Sequence, residues 1–208
     1  MGKLVSTLFV TLDGVYQAPG GPREDPSGGF RHGGWSFPYG DDDSGRFITE
    51  VFDRSAAFLL GRRTYEIFAS YWPRTAEPAA IAGRLNTLPK YVVSSSLQSP
   101  AWSGTTVLGG DLAKEVQALK ERTDGELQVH GSGALVRSLI GLRLLDTVHL
   151  LTFPVVLGSG RRLLGDGTLP TAFRHTGGRV TGSGVSIQSY DLAGSPEYGS
   201  YERAEEDR

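Results

Sequence analysis

Strand-like and helix-like patterns alternate along most of this chain, and that alternation constrains its fold more than any other feature. Compact apolar or β-branched runs predict strands, which are residues 3–12, 56–60, 90–93, 105–108, 127–130 and 145–153. Capping residues and helical spacing of apolar residues predict the intervening helices, which are residues 45–54, 64–72, 112–122 and 133–141. Such alternation is typical of an α/β fold with a mostly parallel sheet, in which ligands bind at the carboxyl ends of the strands.

The end of the chain follows a different pattern. Residues 172–181 and 184–192 flank Gly182 and Ser183 and predict an antiparallel hairpin. The residues from Ala193 onward are polar. We therefore expect a single domain over residues 1–192 and a frayed tail over residues 193–208.

Charge and composition argue against several classes of protein. A formal net charge of −2 gives no concentrated positive surface, so we expect no nucleic-acid partner. Cysteine is absent and the four histidines are dispersed, so no metal site is predicted. No apolar run reaches membrane-spanning length and the N-terminus lacks a cleavable apolar segment, so we expect a cytoplasmic protein without a membrane partner.

Two strand-to-helix junctions have the chemistry of anion sites. Gly61, Arg62, Arg63 and Thr64 follow the apolar run 56–60, so guanidinium groups would stand at a helix N-terminus with its unpaired N–H groups. The second junction is rich in small residues and consists of Gly131, Ser132, Gly133, Ala134 and Leu135. Two phosphate cradles suggest a dinucleotide. The alternative is that the arginines pair with surface acids and the glycines only end strands.

A long segment between the first strand and the first helix is unusually rich in glycine, proline and aromatic residues. The 13–43 segment contains Tyr16, Phe30, Trp35, Phe37 and Tyr39. Long ordered loops in compact domains are often functional, so the segment suggests a cover over a pocket. The alternative is a surface loop that uses its aromatic residues as anchors. Its last acids, 41–43, are expected to cap the helix that follows.

Five motifs, in order, carry a resemblance to a known family. They are TLDG at 11–14, LGRRTYE at 60–66, VVSS at 92–95, HGSGAL at 130–135 and PVVLGSG at 154–160. In this order they resemble the dihydrofolate-reductase-like superfamily, and within it the reductase domain of the riboflavin-pathway bifunctional deaminase-reductase. The resemblance covers residues 3–192 and implies a three-layer fold with helices flanking the sheet. The sequence contains no deaminase domain, so we expect a stand-alone relative.

The resemblance implies NADPH as the cofactor. Arg62, Arg63 and Thr64, after Gly61, would meet the adenosine 2′-phosphate and the pyrophosphate, and Ser94 and Ser95 would line the adenosine side. Residues 131–135 would receive the pyrophosphate at the second helix start.

The substrate side is less well defined by the resemblance. Dihydrofolate reductases carry a carboxylate on the first helix, but counting back from Gly61 leads to Gly45, with Asp43 and Glu50 as the nearest acids. Thr152 aligns with a substrate-site threonine of that family, and it is equally compatible with an ordinary strand position.

Four other residues are candidates for the substrate side. Asp13 could orient a proton donor, Tyr16 and Trp35 could stack on a flat heterocycle, and Arg161 could contact substrate or a subunit interface. Asp13 with Gly14 is also an ordinary turn pair, and the aromatic rings are equally typical of loop anchors.

Three functional hypotheses follow from these residues. The first is an NADPH-dependent reductase that transfers a hydride to a small flat heterocycle of the pterin, folate-like or pyrimidinone class. The second is a non-catalytic NADPH-binding or sensing module, which the missing acid favours. The third is a cofactor-free structural protein. The resemblance and the apolar late strands imply a homodimer.

Overall fold

Within residues 1–201, a single eight-stranded sheet organises the protein. The structure is a computed structural model, and it describes residues 1–201. The strands are β1 Lys3–Thr11, β2 Ser55–Gly61, β3 Lys90–Val93, β4 Thr105–Leu108, β5 Glu126–Val129, β6 Thr147–Phe153, β7 Ala172–Val180 and β8 Ser186–Gly194. Their spatial order is β4-β3-β2-β5-β1-β6-β8-β7. The first six strands in this order run parallel, and β8 is antiparallel to both β6 and β7.

In the described part of the chain, five α-helices connect the strands. They are α1 Asp42–Arg54, α2 Arg62–Tyr71, α3 Ala79–Thr87, α4 Leu112–Arg122 and α5 Gly133–Gly141. Asp41 caps α1 in a capping box with Ser44, and its second oxygen accepts from the backbone of Ser183 at 2.9 Å. These hydrogen bonds hold the pKa of the Asp41 carboxyl far below its usual range. The α1 start is thereby tied to the β7–β8 turn.

The two faces of the sheet have separate cores. Helices α4 and α5 cover one face, where their apolar residues pack against Leu4, Leu8 and Leu59. Helices α1, α2 and α3 cover part of the other face, around Phe58 and Leu60. The 13–43 segment covers the remainder of that second face, since its Phe30 and Trp35 are buried against β6 and β8.

The predicted fold class is confirmed: the sheet is mostly parallel, helices flank it on both faces, and the chain ends in an antiparallel hairpin. Strand β8 extends to Gly194, two residues beyond the predicted end of the domain at residue 192, and residues 202–208 of the predicted tail lie outside the described residues. Within residues 1–201, no helix has the length and apolar character needed to cross a membrane.

Candidate functional site at the carboxyl ends of β2 and β5

The two predicted anion junctions lie against each other. Strands β2 and β5 are neighbours in the sheet, and the backbone N–H of Gly61 donates to the carbonyl of Gly131 at 3.0 Å. A Cβ added to Gly61 would come within 2.5 Å of Ser132 Oγ, and one on Gly131 would come within 2.9 Å of Thr64 Oγ1. Glycine is therefore required for this close approach. The structure brings both junctions together as one site.

Both helices at this site begin without a side-chain cap. Within residues 1–201, no side chain accepts from the first turn of α2 after Gly61, or from that of α5 after Ser132. Asp41 and Asp111 do cap α1 and α4 in this way. The uncapped N–H groups of α2 and α5 remain available to an anion, which the partial positive charge of a helix N-terminus also favours.

Arg62 and Arg63 point to different parts of the site. Arg62 donates from Nη1 to Ser96 Oγ at 2.6 Å and pairs with Glu66 at 3.2 Å, at the end of the site near the VVSS motif. Arg63 donates instead to Asp25 of the 13–43 segment, with Nη1 at 3.0 Å from Oδ1. Arg62 therefore lies at the end of the site near Ser96, and Arg63 lies at the end near Asp25.

The other predicted cofactor residues contribute mainly backbone. Ser94 Oγ accepts from the backbone of Ser96 and Leu97 at 3.2 and 3.0 Å, so it shapes the turn after β3. The side chain of Leu135 lies in the core, whereas Ala134 is exposed. Ser95 is also exposed, next to Ser96.

A cavity of about 310 Å³ opens beside the two junctions. One part of its wall is apolar and comes from α1, α2 and the chain that follows α2: Ile48, Phe52, Ile67, Phe68, Trp72 and Ile81. Another part is polar and includes Glu24, Asp25, Arg63, Thr64 and Arg161. An apolar chamber with a few convergent polar groups suits a flat organic ligand of modest size.

The two acids of the cavity wall have contrasting environments. Asp25 is 8% exposed, and its carboxylate accepts from both Arg63 and Arg161. Glu24 has no ion-pair partner within residues 1–201, and its Oε2 accepts from the backbone N–H groups of Gly20 and Gly21. Burial raises the pKa of the Glu24 carboxyl, and these two hydrogen bonds oppose the rise.

The first helix brings no acid to the cavity. Its wall residues are Ile48 and Phe52, whereas Glu50 is exposed and Asp43 pairs with Arg46 on the surface. The family pattern, counted back from Gly61, places the expected acid at Gly45. In the structure α1 runs directly into β2 at Ser55, and the residues of α1 that face the cavity are Ile48 and Phe52.

The predicted catalytic residues lie outside the cavity wall. The Asp13 carboxylate accepts from Thr11 Oγ1 at 2.6 Å and from the backbone of Gly158 at 2.9 Å. These bonds lower the pKa of Asp13, with the largest effect from Thr11, and burial opposes them. Thr152 pairs with Val10 and Ser186 in the sheet, and its side chain points to the face opposite Leu151 and Phe153. Asp13 stabilises the 154–160 turn, and Thr152 is an ordinary residue of strand β6.

Of the predicted substrate residues, Tyr16 and Arg161 line the cavity and Trp35 does not. The Tyr16 ring lies over the start of α5, since a Cβ on Gly133 would come within 2.6 Å of it. Arg161 donates to Asp25 and, at 2.7 Å, to Ser27 Oγ. Trp35 is 6% exposed and donates from Nε1 to the carbonyl of Gln17 at 2.8 Å, so it anchors the 13–43 segment.

The sequence did not lead us to several residues of the cavity wall. Glu24 and Asp25 lie in a glycine- and proline-rich stretch with no pattern around them, although the Ile48–Phe52 spacing was a detectable signal of a buried helical stripe. His130 also lines the cavity, and its ring stacks on Phe52 at 4.9 Å between centroids. Among the described residues, no group of three or more His, Cys, Asp or Glu side chains could hold a metal ion.

Comparisons with known proteins identify related sequences and folds. The model of the RibD C-terminal domain matches residues 2–187. The uncharacterized protein YyaP of Bacillus subtilis (strain 168) is 25% identical over 186 residues, which cover 88% of this chain and 91% of that protein.

Two solved structures share the fold. A candidate riboflavin biosynthesis protein from Shewanella sp. PV-4 superposes with a TM-score of 0.71 and 18% identity, covering 92% of this chain and 99% of that one. Dihydrofolate reductase from Enterococcus faecalis, solved in complex with NADP(H) and RAB-propyl, superposes with a TM-score of 0.59 and 14% identity, covering 92% and 96% of the two chains.

Proposed function

The chain belongs to the RibD C-terminal domain family, and on that premise we propose that it is an NADPH-dependent reductase that transfers a hydride to a small flat heterocycle. The substrate would be of the pterin, folate-like or pyrimidinone class. The observation that carries the proposal is the meeting of two uncapped helix starts beside an apolar cavity. The NADP(H) in the dihydrofolate reductase of the same fold supports the choice of cofactor.

The residues present fit a phosphorylated dinucleotide. The N–H groups at the starts of α2 and α5 would hold the pyrophosphate, and the close-packed Gly61 and Gly131 leave backbone rather than side chains at that point. Arg62, beside Ser96, would meet the 2′-phosphate. Bound NADPH would supply the hydride, while the protein orients the two reactants and excludes water from the apolar chamber.

The test is calorimetric titration with NADPH and with NADH. We expect NADPH to bind more tightly, and Arg62→Ala to weaken NADPH about tenfold or more while NADH changes little, because only NADPH carries the 2′-phosphate. Arg46→Ala is the matched control, since that arginine pairs with Asp43 on the surface, outside the cavity wall. Equal affinity of the wild-type protein for the two nucleotides, or no binding of either, would contradict the proposal.

A second candidate function is a non-catalytic NADPH-binding module. The absence of any acid from α1 in the cavity wall favours it. Tight NADPH binding without oxidation in the presence of pterins, folates and pyrimidinones would select this function over the reductase.

We also propose that the protein forms a homodimer. An apolar groove beside the terminal hairpin supports this, and it is lined by Val136, Ile140, Val148, Leu150, Leu163, Leu164, Phe173 and Tyr190. Sedimentation velocity at micromolar concentration should give twice the chain mass of 22.3 kDa. Leu164→Glu should shift it toward the monomer, whereas a monomeric wild-type protein would remove the proposal.

A further inference from the structure

The cavity needs a source of protons if a heterocycle is reduced in it. Hydride addition to a C=N bond leaves a negative charge on nitrogen that a proton must neutralise. Two carboxyl groups line the cavity within residues 1–201, Glu24 and Asp25. They are neighbours in the chain, and their surroundings differ in a way that separates their roles.

Asp25 is committed to the ionised state. Its carboxylate accepts from Arg63 at 3.0 Å and from Arg161, and both guanidinium groups remain charged. A carboxylate held between two cations cannot store a proton near neutral pH. Asp25 is therefore excluded as the donor.

Glu24 is the carboxyl group suited to carry the proton. No basic side chain of the described residues pairs with it, and both of its hydrogen bonds, from Gly20 and Gly21, reach Oε2. Oε1 has no hydrogen-bond partner in the described part of the chain. Two backbone bonds to one oxygen fix the orientation of the carboxyl group and leave the other oxygen for a ligand.

We propose that Glu24 is the catalytic acid of this site and donates a proton to the nitrogen of the heterocycle. This inference depends on the proposed reductase function. Burial raises the pKa of Glu24, which is the direction a proton donor needs. Adjacent carboxyl groups with opposed environments are a recurrent arrangement for dividing acid and charge-stabilising roles.

The proton balance of the step is simple. The hydride for the ring carbon of a C=N bond would come from NADPH, which would be oxidised to NADP⁺. The O–H bond of Glu24 breaks, an N–H bond forms on the ring nitrogen, and the O–H electron pair remains on the carboxylate. The carboxylate then regains a proton from water, so each turnover consumes one proton.

The other titratable groups that face the cavity limit how the pH dependence is assigned. They are Tyr16, Asp25, Arg63, His130 and Arg161. No charged side chain is among the causes that shift the Glu24 pKa, which are burial and the two glycine N–H groups. The rise in the Glu24 pKa therefore comes from burial, and the two glycine N–H groups oppose it.

The first measurement does not require turnover. Proteins labelled with ¹³C at the glutamate carboxyl carbons are titrated by NMR in the presence of NADP⁺, and Glu24→Gln identifies the resonance of Glu24. We expect its midpoint above the ordinary value of about 4.5. A midpoint at or below that value would overturn the proposal.

The second measurement is NADPH oxidation with dihydropterin, dihydrofolate and a pyrimidinone as probes. Glu24→Gln keeps a side-chain oxygen that can accept from Gly20 and Gly21, so we expect the NADPH affinity to be unchanged. We expect kcat to be about 10²–10⁴-fold lower, and we expect the decrease in rate that the wild-type enzyme shows at high pH to disappear. Glu24→Asp keeps an acid and should retain that fall.

The outcomes separate the two proposals. A Glu24→Gln enzyme with wild-type kcat and pH profile would overturn the role of Glu24 and leave the reductase function intact. A wild-type protein that binds NADPH but reduces none of the probes would overturn the reductase function, and the donor role with it.

Discussion

At the residue scale, His130 is a neutral imidazole among aromatic rings. Its ring lies 4.9 Å from that of Phe52, 5.9 Å from Phe58 and 6.5 Å from Phe68, measured between centroids. Nε2 is buried and has no hydrogen-bond partner within the described residues. Burial lowers the His130 pKa to about 4, against a smaller opposing effect of the Thr7 backbone. The folded protein therefore disfavours the protonated form of His130.

This burial predicts a loss of stability on acidification. The unfolded chain takes up a proton on His130 near pH 6.5 and the native protein only near pH 4, so the free energy of unfolding falls as the pH drops between these values. The contribution between pH 7.5 and 4.5 is roughly 2–3 kcal/mol. His130→Phe should remove this part of the pH dependence, measured by urea unfolding at both pH values.

A matched variant controls for the other acid-sensitive groups. His32 is exposed on the 13–43 segment, so His32→Gln should retain the wild-type pH dependence. Parallel stability curves for the wild-type protein and His130→Phe would show that the buried imidazole does not contribute.

At the element scale, the joining of β2–α2 to β5–α5 depends on Gly61. A Cβ there would lie 2.5 Å from Ser132 Oγ and 3.0 Å from its backbone nitrogen, so Gly61→Ala forces the two strand ends apart. We expect a loss of about 1–3 kcal/mol in the free energy of unfolding. NADPH affinity should fall as well if the two helix starts hold the pyrophosphate.

A second glycine provides the control. Gly45 lies in α1, and a Cβ there would meet nothing within 4 Å. Gly45→Ala should therefore stabilise the protein by roughly 0.5–1 kcal/mol, because alanine loses less backbone entropy in a helix. The two variants are compared by chemical denaturation, and equal stability would contradict the close packing at Gly61.

The elements themselves were largely predictable, because they depend on local signals. The predicted range 133–141 agrees with α5, and Asp111 caps α4 as expected. The cavity wall was not predictable in the same way. The Ile48–Phe52 spacing indicates a buried stripe on α1, but no local pattern shows that this stripe lines a cavity together with Glu24 and Asp25.

The site was predicted only in part, for a related reason. Each of the two junctions is a continuous stretch of sequence, so each could be recognised by itself. The structure brings them together because β2 and β5 are neighbours in the sheet. The pairing of Asp25 with Arg63 and Arg161 joins residues 38 and 136 positions apart. A single sequence gives no signal for such contacts. For the same reason it does not show that Asp13 accepts from the backbone of Gly158, 145 positions away, and so holds a turn.

At the scale of the whole molecule, Asp25 joins three parts of the structure. It lies in the 13–43 segment, Arg63 lies in the first turn of α2, and Arg161 follows the 154–160 turn. Gln17 strengthens the link to Arg161, since its Oε1 accepts from the backbone N–H of Arg161 at 3.1 Å while its Nε2 donates to the carbonyls of Asp25 and Ser27 at 3.0 Å. The segment is therefore held over the cavity by a buried carboxylate rather than by its aromatic anchors alone.

Removing that charge should release the segment. Asp25→Asn leaves two guanidinium groups without a counterion, and because both are partly exposed we expect a loss of about 1–3 kcal/mol. Local opening would expose the bonds after Arg23 and Arg31 to trypsin, so limited digestion should cut there several-fold faster than in the wild-type protein. Asp43→Asn, which removes only a surface pair with Arg46, should leave the rate unchanged. Equal cleavage of Asp25→Asn and wild type would mean that the aromatic anchors hold the segment without the carboxylate.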